Sequence, residues 1–132
     1  MKLLVDTSAL LALILRDDQN HAVAATFLRQ NPGARFVLTE LILGEVATRL
    51  RARAGAARAV AVVRDLLRSR RYEVLFVDTE LAEKALGSME RFADKRLSFT
   101  DCASFEIMRH LGIARAFTFD PDFRDCGLEM VP

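Results

Sequence analysis

Tryptophan is absent from this chain, tyrosine occurs once, and histidine and cysteine occur twice each. With Cys102 and Cys126 as the only thiols, no CxxC spacing and no histidine cluster, the donor set of a zinc site is missing. Both cysteines read as packing residues, not as a disulfide. His21 and His110 are the only imidazoles, and neither stands where a shared general base is wanted. Long apolar runs are missing too. The most apolar stretch, Leu3 to Leu15, is interrupted by Asp6 and falls short of the roughly 18 to 20 residues of a membrane span. A secretory leader tolerates such an aspartate poorly, so the expectation is a cytoplasmic protein. An excess of one charge is also lacking: the formal net charge is +1, which by itself points to neither a nucleic acid nor a membrane.

What is present is a chain of 132 residues, 52% of them hydrophobic, enough for one packed core and expected to form one domain over 1–132. Charge is distributed unevenly. Eight arginines (Arg49, Arg51, Arg53, Arg58, Arg64, Arg68, Arg70, Arg71) fall in a 23-residue stretch with one acid, Asp65, whereas Asp120 to Glu129 holds four acids and one arginine. Apolar runs at 2–5, 36–38, 73–77 and 116–119, with a short fifth at 128–131, read as strands. Helical spacing covers 8–15, 19–30, 40–53, 57–70, 79–94 and 101–110, with stops at Asn31-Pro32-Gly33, Gly55 and Gly112. This alternation predicts an α/β domain with a central, mainly parallel sheet of four to five strands flanked by helices. Open parallel sheets bind ligands beyond the carboxyl ends of their strands, which draws attention to the acids there.

Each acid has a local explanation. Asp6 ends an apolar strand and opens a helix, as an N-cap does. Asp120 lies in Asp120-Pro121-Asp122, which is turn chemistry. Glu45 stands four residues before Arg49, as in a solvated helix pair. Asp101 follows Ser98 by three residues, as in a capping box. Taken together they read differently, because carboxylates gathered at one edge of a sheet repel one another unless a cation lies between them. Hard divalent ions such as Mg²⁺ and Mn²⁺ take oxygen ligands and keep open positions, and they support phosphodiester hydrolysis by an activated water without any histidine or cysteine.

The segments Leu3-Leu4-Val5-Asp6-Thr7-Ser8-Ala9-Leu10, Thr39 with Glu45, Leu97-Ser98-Phe99-Thr100-Asp101 and Phe117-Thr118-Phe119-Asp120-Pro121-Asp122-Phe123, in this order over the whole chain, resemble the PIN-domain family. Size and order look like its VapC-type toxins. The resemblance implies a PIN-like fold, a Mg²⁺ or Mn²⁺ site and endonucleolytic cleavage of RNA. By matching position it makes Asp6, Glu45, Asp101 and Asp120 the catalytic metal ligands, with Asp122 able to substitute for Asp120 and with Thr7 or Ser8 and Thr118 as supporting hydroxyls. It also implies a homodimer and a small VapB-like antitoxin partner.

Arg64, Arg68 and Arg71, spaced i, i+4, i+7, are expected to share a helix face, and with Arg49 they are candidates for contacting RNA phosphates. The competing explanation is a solvated helix face. Two other function classes stay open on the sequence: a PIN-like domain that binds RNA or protein without cutting it, and a receiver-type phospho-acceptor domain using Asp78. Against the latter, one acid rather than a pair follows the first strand, no lysine follows the fourth or fifth, and Asp78 is placed to cap the helix from Thr79. An Asp-x-Asp phosphatase is ruled out by Ser8, which stands where the second aspartate belongs.

Overall fold

A computed structural model describes residues 1–132. Five parallel strands, β1 (Lys2–Val5), β2 (Arg35–Thr39), β3 (Tyr72–Leu75), β4 (Arg115–Phe117) and β5 (Glu129–Val131), form one sheet in the order β3-β2-β1-β4-β5. The chain winds outward from β1 through β2 to β3, then returns across the sheet to β4 on the other side of β1. That reversal between β1 and β4 opens a crevice at the carboxyl ends of the strands. The order also differs from the 2-1-3-4-5 arrangement of receiver-like folds.

Alternation along β1 sorts the core into two layers. Leu3 and Val5 join Phe36, Leu38 and Phe117 beneath α1 (Thr7–Ile14), α2 (His21–Gln30), α3 (Glu40–Ala54) and α4 (Ala56–Arg68). Leu4, Val37 and Ala116 face the opposite layer, formed by α5 (Thr79–Arg91) and α6 (Phe99–Leu111). Between α5 and α6 the buried Glu106 carboxylate accepts from Ser88 Oγ at 2.6 Å and from Arg109 at 2.6 Å. Burial alone raises the pKa of Glu106, but these bonds and the charges of Arg109 and Arg91 outweigh it and leave it lowered. Cys102 is buried and both thiols are free, as expected of packing residues. No helix is long and apolar enough to cross a membrane.

Helix starts follow local chemistry. Asp6 caps α1 by accepting from Ala9 N, Thr39 caps α3 through Ile42 N, and Asp78 caps α5 through Leu81 N at 2.8 Å. Asp78 is thus engaged as a cap, three residues beyond the end of β3. Ser98 and Asp101 form a reciprocal capping box, so α6 begins at Phe99, two residues before the sequence placed it, and ends at Gly112 in the left-handed region (φ 68°). β4 stops at Phe117 and not at Phe119, because Asp120 starts a turn that leads into a short helix, α7 (Asp122–Asp125), for which the sequence pattern gives no signal.

The arginine face is also smaller than its spacing implied. α4 ends at Arg68, and Arg71 turns inward. Its guanidinium donates to the carbonyls of Ala34, Leu28 and Asn31 and lies over the Phe36 ring. It satisfies the carbonyls at the end of α2 and in the loop after it, and so is a structural staple, withheld from any substrate.

Candidate functional site

Asp6 stands at the carboxyl end of the central strand, and three hydroxyl or amide donors converge on it. Ser8 Oγ donates to Oδ1 at 2.7 Å, Ala9 N to Oδ1 at 3.1 Å, and Thr118 Oγ1 to Oδ2 at 2.7 Å. Thr118 lies just past β4, so this last bond ties together the ends of the two strands at the crevice. Phe119 N in turn donates to Ser8 Oγ and Asp120 N to Thr118 Oγ1, which fixes the loop that carries Asp120. Asp120 Oδ1 then accepts from Asp122 N at 3.0 Å and folds the Asp-Pro-Asp turn. Of the expected supporting hydroxyls, Ser8 and Thr118 hold Asp6, while Thr7 lines the cleft without bonding to that carboxylate.

The result is a cleft of about 290 Å³ whose wall contains five carboxylates, Asp6, Glu45, Asp101, Asp120 and Asp122, two arginines, Arg49 and Arg96, and a single apolar side chain, Ile42. Oxygens of Asp101, Asp120 and Asp122 all lie within 4.8 Å of one another. Asp122, which the sequence offered as a substitute for Asp120, therefore stands beside it as an equal. The anticipated ion pair of Glu45 with Arg49 is not formed; both side chains face the cleft. Arg64 and Arg68 are exposed and do not reach it. Arg68 leads within four residues into the amino end of β3, whereas the acids occupy the carboxyl ends. His21 is occupied by the Ala12 carbonyl at 2.7 Å, and His110 lies outside the cleft.

Electrostatics in the cleft run against the protein. Burial pushes the Asp6 carboxyl up from 3.8 to about 6, opposed by the bonds from Thr118, Ser8 and Ala9 and aided by the charge of Asp120. Burial also raises Asp101, against its bonds with Ser98 and with the help of Asp120 and Asp122. Asp122 is raised by burial and by the charges of Asp120 and Asp125. Like-charged acids held this close are relieved by a cation between them. An all-oxygen donor set on a polar, open wall suits a hard divalent ion and offers nothing to a soft one. The residues present therefore fit such an ion.

Arg96 and Ser104 are polar members of the wall that the sequence reading did not single out. Arg96 lies in the connector before α6. Ser104 follows Asp101 by three residues, a helical spacing that could have flagged it.

Comparison with known proteins identifies the family and the fold. The PIN domain family model matches residues 3–127. A curated relative, the 23S rRNA-specific endonuclease VapC20 of Mycobacterium tuberculosis, is 35% identical over 123 residues, which cover 93% of this chain and 92% of the relative. The crystal structure of M. tuberculosis VapC20, described as a Sarcin-Ricin loop cleaving toxin, superposes with a TM-score of 0.88 at 32% identity, covering 96% of this chain and 95% of that one. VapBC2 from Rickettsia felis, bound to a DNA fragment from its promoter, shares the fold at TM-score 0.68 and 11% identity, with 99% and 98% of the two chains covered. The five-stranded parallel sheet is thus that of a familiar architecture, and the chain belongs to the PIN-domain family, among its VapC-type members.

Proposed function

We propose that this chain is an endoribonuclease, the toxin of a toxin–antitoxin pair, and that it hydrolyses RNA at the acidic cleft with a divalent cation, Mg²⁺ or Mn²⁺. The observation that carries the proposal is the convergence of Asp101, Asp120 and Asp122 within 4.8 Å in a cleft also lined by Asp6 and Glu45. In this reading Asp101, Asp120 and Asp122 hold the ion, and Glu45 contributes from the facing helix. Asp6, clamped by Ser8 and Thr118, fixes the floor of the site and adds negative charge. The ion supplies a Lewis acid that lowers the pKa of water and neutralises charge at the phosphate. Arg49 and Arg96, at the rim of the same cleft, take the RNA phosphates, which bind where cationic side chains face them.

Similarity to VapC20 over nearly the full length of both chains makes large-subunit ribosomal RNA the first substrate to try. The same resemblance brings a VapB-like antitoxin and a homodimer into the proposal.

The experiment is incubation of purified protein with ribosomes and with isolated 23S rRNA, with Mg²⁺, with Mn²⁺ and with EDTA. A discrete cleavage product is expected with a divalent ion and none in EDTA or with Asp101→Asn. Cleavage that survives chelation, or undiminished cleavage by a folded Asp101→Asn protein, refutes the assignment. RNA binding with no cleavage under any of these conditions would favour a non-cleaving, RNA-binding PIN domain.

A further inference from the structure

One buried side-chain polar atom in this protein has no hydrogen-bond partner, Ser104 Oγ. The other most deeply buried hydroxyls are all engaged: Thr39 caps α3, Ser88 donates to Glu106, and Thr118 donates to Asp6. A buried hydroxyl left unpaired costs stability, and a helical serine has a ready remedy in the carbonyl four residues back. Ser104 does not use that remedy, although the Thr100 carbonyl is the one at hand. The position of the orphan is informative. Ser104 is wholly buried on α6, one helical turn beyond Asp101, and both residues line the acidic cleft.

The chemistry of the wall limits what the hydroxyl serves. Asp101, Asp120 and Asp122 converge within 4.8 Å, and hard divalent ions bound by a few carboxylates retain several waters in their coordination sphere. Those waters need hydrogen-bond partners around the site, and such outer partners govern how firmly the ion is held. We infer that Ser104 is a positioning residue of the cation site: its hydroxyl hydrogen-bonds a water coordinated to the ion and fixes that water against Asp101. The inference rests on the reading of the cleft as a cation site under Proposed function. It concerns a residue one helical turn away from the carboxylates that hold the ion.

The test uses Mn²⁺ alone, without RNA, titrated calorimetrically into the wild-type chain, Ser104→Ala and Asp101→Asn, with thermal unfolding of each recorded in EDTA. Loss of an outer-sphere partner weakens metal binding by about 10- to 100-fold, so Ser104→Ala is expected to bind Mn²⁺ at least about tenfold more weakly. Its Tm in EDTA should equal or exceed that of wild type, because an unpaired hydroxyl has been removed. Mn²⁺ affinity within about twofold of wild type would overturn the role of Ser104 and leave the cation site standing. A lower Tm in EDTA would overturn it as well, by showing that the hydroxyl has a partner inside the protein. Wild-type binding no tighter than that of Asp101→Asn would overturn the cation site and the Ser104 inference with it.

Discussion

Asp6→Asn separates what the cleft does for function from what it does to stability. The Asp6 carboxyl is buried and has its pKa raised from 3.8 to about 6, chiefly by burial. Stability associated with the protonated form is fully present below about 3.8 and is lost as pH rises through about 6. At 1.36 kcal/mol per pKa unit, the gap between 3.8 and about 6 makes ionised Asp6 cost the metal-free fold ~3 kcal/mol near pH 8. Asparagine removes the charge and keeps an oxygen for Ala9 N and Ser8. It turns an NH₂ group towards Thr118, which offsets ~1 kcal/mol of the gain. The net expectation is Asp6→Asn more stable by ~2 kcal/mol at pH 8, roughly 7 °C in Tm for a chain of this length. The advantage should vanish or reverse by pH 4. Urea and thermal unfolding in EDTA from pH 4 to 8 measure it. Adding Mn²⁺ at about 100 times its Kd stabilises the wild-type protein by ~2.7 kcal/mol and should close or invert the gap. A stability difference that does not change with pH, or an Asp6→Asn protein less stable at pH 8, would refute the reasoning.

Other perturbations test different parts of the molecule. Replacing Arg49 and Arg96 with alanine should flatten the salt dependence of RNA binding by about 0.7 to 0.9 for each phosphate no longer neutralised, whereas Arg64→Ala with Arg68→Ala should leave the slope as it is; filter binding across a salt series compares the two pairs. Glu106→Gln should cost ~1–3 kcal/mol in urea unfolding by stripping charge-assisted bonds from Ser88 and Arg109, without altering Mn²⁺ affinity. Because Glu106 is lowered in the fold, its contribution is present at neutral pH and lost as pH falls below 4.5 through the folded value. Arg71→Ala should destabilise by a similar amount through the three carbonyls it leaves without a donor, and Arg71→Lys should rescue it poorly, since an ammonium lacks the planar fork that reaches them.

The fold was legible because strand and helix periods in this chain rarely conflict: a run such as Leu3-Leu4-Val5 is buried on both faces, and stops such as Gly112 act locally. Boundaries failed where side chains reached back across the chain. α6 starts early because Ser98 and Asp101 cap each other, and β4 ends early because Asp120 begins a turn. In the cleft, Asp6, Asp101 and Asp120 stand at strand ends or a helix start, whereas Glu45, in the second turn of α3, is singled out only by the resemblance to the PIN-domain family. The ranking of the acids was not legible, since Asp120 and Asp122 become neighbours in space only through the turn between them. Arg71 illustrates the converse. Its spacing matched Arg64 and Arg68, but the helix ends at Arg68 and the following turn sends Arg71 to bare carbonyls. Arg96 carried no signal in sequence, because a connector has no period from which to infer a direction.

The local explanations for each acid and their joint role are compatible once individual oxygens are considered. Asp101 Oδ2 accepts from the Ser98 amide, and Asp120 Oδ1 accepts from the Asp122 amide. A cap or a turn therefore takes one oxygen of each carboxylate and, by fixing it, directs the other. Asp6 differs, because Ser8 and Ala9 occupy Oδ1 while Thr118 occupies Oδ2. It is the most rigidly held acid of the cleft and the one with the least free lone-pair capacity, which suits a group that anchors β1 to β4 and sets the potential. Oxygens of Asp101, Asp120 and Asp122 lie within 4.8 Å of one another. Capping energy, which a sequence reading counts against function, here supplies the orientation that a metal site needs from the groups around its ligands.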